Sequence, residues 1–65
     1  MKQGDLVTLS AKGLRNKYLN YLRGRLGIVV EIVHYGSLND YRVQWLGGAT
    51  AQRTRHRRKE LKYAN

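Results

Sequence analysis

Apolar and polar positions alternate in several short stretches of this chain, and that alternation predicts strands. Leu6-Val7-Thr8-Leu9-Ser10 reads as a short first strand after a Gly4-Asp5 turn, with Val7 and Leu9 on one face. Ala11-Lys12-Gly13 ends it. The period then changes: Leu14, Tyr18, Leu19, Tyr21 and Leu22 fall at i, i+4, i+5, i+7 and i+8, a helical stripe bracketed by Gly13 and Gly24. One or two helical turns inside a long first loop are therefore expected, and a helix that short depends on packing for its stability.

The strongest strand pattern is Ile28-Val29-Val30-Glu31-Ile32-Val33, entered through a Gly-punctuated turn at 24–27. Its apolar residues occupy both faces. That suits a strand inside a closed barrel, or one that changes face at a bulge. A turn or hairpin loop is expected over 35–40. Tyr41, Val43 and Trp45 then share a face opposite Arg42, Gln44 and Leu46. Gly47-Gly48 is a two-residue hairpin signal. Residues 49–56 run back antiparallel, with Ala51, Arg53 and Arg55 alternating with Gln52, Thr54 and His56. A last short strand, Leu61-Lys62-Tyr63, closes the structure through Leu61 and Tyr63. Five short strands with a long first loop and tight later turns predict an all-β fold, a small five-stranded barrel that hides its edges.

Size and composition narrow this picture. A chain of 65 residues holds one domain, 1–65, and buries only ~60% of its unfolded surface. Without Cys it has no disulfide or thiolate metal site, which fits a reducing compartment. Trp45, Tyr41 and Tyr63 are expected in the core with the aliphatic residues. No apolar run approaches the ~18 residues of a membrane span. The polar start, Met1 to Asp5, leads straight into a strand pattern and does not read as a signal peptide. A complete cytoplasmic protein, monomeric or a small homo-oligomer, is expected.

Charge changes the picture most. Thirteen Lys and Arg oppose four Asp and Glu, a net +9. Residues 1–25 carry six cations against one acid, and residues 51–65 again six against one. Residues 26–50 carry one cation against two acids. Two basic segments thus flank a neutral, apolar centre. Strand cores avoid charge anyway, so a solvated surface is the plain reading, but the clustering points to an acidic partner, RNA or DNA above all.

The order of several fragments carries a resemblance. Gly4-Asp5-Leu6-Val7 opens the chain, Gly24-Arg25-Leu26-Gly27-Ile28-Val29-Val30-Glu31-Ile32 follows, then Tyr41-Arg42-Val43-Gln44-Trp45, and finally Glu60-Leu61-Lys62. Over nearly its whole length the chain resembles SH3-like barrels with a KOW-type motif, and looks most like short free-standing versions among tailed-bacteriophage proteins. The resemblance implies an SH3-like barrel. For function it implies contact with RNA, DNA or protein, and a fold fixes no function. The segment around 14–22 is longer than a minimal KOW loop needs.

Candidate residues follow from the clusters. Arg53, Arg55 and Arg57 sit at strand spacing, like a comb, with Arg58 and Lys59 beside them; Arg forks pair phosphate oxygens bidentately. A charged edge strand that blocks aggregation would look similar, but this density exceeds what edge protection needs. Lys12, Arg15, Lys17, Arg23 and Arg25 form a second cluster. It joins the comb if the first loop folds back over the barrel, and is otherwise an ordinary solvated loop. It is short for a membrane-binding helix. Tyr35, in a loop beside Gly36, is a candidate for stacking an unpaired base, where most aromatics in so small a domain are core. His34 and His56 lack the companions of a metal site, and nothing assembles a nucleophile, base and orienting group. No enzyme activity, metal or cofactor is expected. A Pro-rich ligand is disfavoured, since the acidic loop of peptide-binding SH3 domains is missing. The competing expectation is a protein-interaction module, either a phage structural or accessory component or a regulator of a host protein. There the 14–22 segment and an edge strand make the contact, and charge steers encounter.

Overall fold

The computed structural model describes residues 1–47 and 52–64. Five antiparallel strands form one sheet: β1 (Leu6–Leu9), β2 (Gly27–Tyr35), β3 (Leu38–Trp45), β4 (Gln52–His56) and β5 (Leu61–Tyr63), in spatial order β4-β3-β2-β1-β5. A four-residue helix α1 (Ala11–Leu14) and a 3₁₀ helix η1 (Lys17–Leu22) lie between β1 and β2, and a 3₁₀ turn η2 (Arg58–Glu60) joins β4 to β5. No helix among the described residues is long and apolar enough to cross a membrane.

Alternation placed the inward faces of β1 and β3 correctly. Val7 and Leu9 of β1, Val29 of β2, Tyr41, Val43 and Trp45 of β3 and Leu61 of β5 are buried together with Leu22. β2 holds the anticipated bulge: Val29 pairs with Val43 and Glu31 with Arg42, so the register shifts across Val30 and the strand changes face. The hairpin signal at Gly48 and the placement of Ala49 to Ala51 lie outside the described residues. From Gln52 onward the alternation holds, with Arg53 and Arg55 exposed and His56 buried.

Four expectations need correction. First, the sheet is not closed into a barrel. β4 and β5 are its two edges, and among the described residues no ladder joins them. After His56 the chain turns through η2, where the Glu60 amide bonds the Arg57 carbonyl and the Glu60 carbonyl accepts from Ser10 N–H, so these groups are spent away from any β4–β5 ladder. Second, the helical turns expected in the first loop do form, but as two short pieces rather than along the single stripe 14–22. Ser10 caps α1 through a bond from Gly13 N–H, and the chain re-enters helical geometry only at Lys17, as a 3₁₀ helix behind Asn16. Of the stripe, Leu22 alone is fully buried, while Tyr18 is 87% and Tyr21 47% exposed. Third, the loop over 35–40 is much tighter. Tyr35 pairs with Leu38, and Gly36 takes a positive φ of 59° ahead of Ser37, whose φ is negative, as in a II′ hairpin. Leu38, Asn39 and Asp40 belong to β3. Fourth, Tyr63 is not a core residue. It is 45% exposed at the sheet edge, and Leu61 alone anchors β5.

Candidate nucleic-acid interface

The outward face of the β3–β4 ladder collects arginines. Gln44 pairs with Arg53 and Arg42 with Arg55, so the four side chains leave the sheet on the side away from Trp45 and Val43. Arg53 Nε donates to Gln44 Oε1 at 3.2 Å, which holds its guanidinium over the neighbouring strand. Arg42 reaches Glu31 at 3.4 Å across the β2–β3 ladder, yet its Nε has no hydrogen-bond partner. Arg42, Arg53, Thr54 and Arg55 line a shallow hollow of about 150 Å³. Like charges placed directly opposite on a ladder repel, and here Arg42 faces Arg55 with Glu31 as the nearby counter-charge. Clustering of charge along the chain does not single out Arg42, which is the one cation of the neutral centre. The outward alternation opposite Tyr41, Val43 and Trp45 was the signal that could have found it.

Arg57 stands apart from the comb. It lies beyond the end of β4, where it precedes η2, and its Nη1 contacts Asp40 Oδ1 at 2.9 Å. Its amide donates to Glu60 Oε1, which closes the η2 turn. Arg58 bonds the Leu61 carbonyl through Nη1 and lies 5.3 Å from the Tyr63 ring centroid. Both cations are therefore held by the fold. Lys59 is exposed, and its carbonyl accepts from Ser10 Oγ at 2.6 Å.

The second cluster divides. α1 seats directly on η2: Ser10 bonds both Lys59 and Glu60 carbonyls, and a Cβ on Gly13 would overlap the Glu60 carbonyl oxygen. Lys12 and Arg15 ride on this element, next to the Arg58–Lys59 corner. Lys17 opens η1, whereas Arg23 and Arg25 follow it and lead into β2 at the opposite end, where Leu46 N–H bonds the Leu26 carbonyl. The fold brings Lys12 toward the basic corner and carries Arg23 and Arg25 away from it.

A larger cleft, about 560 Å³, lies between the β2–β3 hairpin and η2. It is lined by Ser37, Leu38, Asn39, Tyr41, Arg57, Arg58 and Lys59. Tyr35, 51% exposed, faces Leu38 at the hairpin end. Beneath this corner runs a polar string. Trp45 Nε1 donates to Thr54 Oγ1 at 2.6 Å, and Thr54 Oγ1 meets His56 Nε2, with the His56 and Trp45 rings edge to face. Which partner carries the proton in the Thr54–His56 contact follows the ring tautomer, and the Thr54 hydroxyl already accepts from Trp45. Burial pushes the His56 pKa below its ordinary value, a shift only partly opposed by the Glu60 carboxylate 3.8 Å away. His56 is thus a buried structural imidazole.

No protein-family model, curated protein or solved structure matches this chain.

Proposed function

We propose that this chain is a small SH3-like domain that binds RNA or DNA mainly through the phosphate backbone, of the kind found among short phage-encoded proteins. The strand order β4-β3-β2-β1-β5, the long first connection and the 3₁₀ turn before β5 support the SH3-like reading. The observation that carries the binding reading is the Arg42–Arg53–Arg55 face: three guanidinium groups, two of them directly opposed, around one hollow with a single nearby acid. Such a surface is relieved by an anion, and a row of phosphates supplies anions at regular spacing. Lys12 and Lys59 extend the positive surface past the strand end. On this reading the protein works as a binder, without catalysis or cofactor, in the cytoplasm of the cell that makes it.

The test is the double reversal Arg53→Glu with Arg55→Glu. Both side chains are exposed, so each change should move stability by less than ~0.5 kcal/mol. Binding to a labelled duplex and to a labelled single strand at low salt should vanish while the melting curve stays in place. Retained binding removes this face from the proposal, and an unreversed protein that binds neither probe removes the proposal itself.

A protein-interaction role has its own supporting observation. Tyr18 and Tyr21 stand exposed on η1, and Leu6, Leu26 and Leu46 are each more than 40% exposed. Pulldown from cell extract with and without nuclease separates the two: partners that survive nuclease favour protein docking.

A further inference from the structure

We infer that the cleft between the β2–β3 hairpin and η2 is a pocket for one unpaired nucleotide, so that this protein prefers single-stranded to duplex nucleic acid. The inference rests on the binding reading above and adds to it a second, distinct site.

The cleft is open to solvent along one side and has the volume of a ligand pocket. Its volume of about 560 Å³ lies within the ~300–1,000 Å³ range of small-molecule sites. A nucleotide enters such a space. A duplex, whose major groove alone is ~12 Å across, does not. The lining is divided by chemistry. Arg57, Arg58 and Lys59 make one wall, Leu38 and Tyr41 an apolar portion, and Ser37 and Asn39 a polar rim. A nucleotide is divided in the same way, into an anionic phosphate, an apolar base face and a hydrogen-bonding base edge.

The basic wall is also set in advance. Asp40 holds Arg57, and the Leu61 carbonyl with the Tyr63 ring holds Arg58. The Asn39 carboxamide oxygen is engaged by His34 Nδ1 at 2.6 Å, which leaves its NH₂ as the group free to donate to a base. Groups already ordered lose little freedom on binding. Tyr35, across the ladder from Leu38, stands where an adjacent base of the same strand can stack.

The experiment measures affinity for a labelled oligothymidine strand and for the duplex it forms with oligoadenosine. The proteins are the natural chain and the variant Leu38→Ala with Asn39→Ala. This variant removes cleft wall and rim without altering charge, so phosphate attraction is unchanged. The expected result is a loss of about tenfold or more for the single strand, with the duplex unaffected. Equal losses for both probes, or an unchanged single-strand affinity, overturn the pocket and leave the backbone-binding proposal standing. A natural chain that binds neither probe overturns both. Amide shift mapping on the natural chain with a thymidine dinucleotide does not depend on how the variant folds. Shifts at 37–41 and 57–59 support the pocket, and shifts confined to 53–55 overturn it. If a polyglutamate peptide of matched charge displaces the strand as well as an unlabelled strand does, the cleft selects charge alone and the pocket proposal fails.

Discussion

His56 sits among charged side chains in the sequence yet points into the core. Two neighbours determine that. The strand alternation turns Arg55 and Arg57 away, and Thr54, on the same face, links the ring to Trp45. The buried ring resists protonation, whereas in the unfolded chain it takes up a proton near the ordinary value of 6.5. Below that pH the unfolded state binds more protons, so stability rises with pH through this range and falls as the solution is acidified. The melting temperature should therefore drop between pH 7.5 and pH 5 by more in the natural chain than in His56→Gln. An equally steep profile in the variant assigns the acid sensitivity to another group.

At the scale of elements, the joint between α1 and η2 organises the basic corner. Gly13 sits inside α1 because a side chain there would run into the Glu60 carbonyl, with Leu9 close behind. Gly13→Ala should cost ~1–3 kcal/mol, the usual range for overpacking, and should lower the melting temperature measurably in so small a domain. The same joint explains why the five arginines and lysines of 53–59 are not equivalent. Arg53 and Arg55 project outward from β4 and are exposed, Arg53 with its Nε bonded to Gln44 Oε1. Arg57 faces Asp40, whose side chain is only 16% exposed, and Arg57→Glu would set two carboxylates against each other there. Arg57→Glu should thus destabilise by more than Arg53→Glu with Arg55→Glu together, as read by thermal melting. If the order is reversed, the Asp40 contact does not hold the corner.

The molecule as a whole measures 34 × 23 × 22 Å, and its long axis matches about one turn of duplex, ~34 Å. That length bounds the phosphates it can touch at once. With the Arg42–Arg53–Arg55 face and the Lys12–Lys59 corner, about four to six contacts are geometrically available. The log–log dependence of affinity on salt should then slope at about −0.9 per contact on duplex and −0.7 on single strands. A slope near zero would mean that the charge of +9 serves solubility or encounter rather than binding.

Alternation at 6–9, 41–46 and 52–56, together with the β-branched run at 28–33, determined the strands and most of the core, because inward and outward positions along a strand repeat every second residue and β-branched side chains favour the pleated backbone. Neither the helical geometry of 11–22 nor the position of Tyr63 was readable this way. α1 exists where Ser10 caps it and η2 supports it, and Tyr63 lies at a sheet edge that local pattern does not reveal. The net charge and the two basic segments were legible directly. Which cations stand together was decided only in three dimensions. Cross-strand register set Arg42 against Arg55, and the η2 turn withdrew Arg57 to Asp40, because both depend on which residues of distant strands come to lie opposite each other.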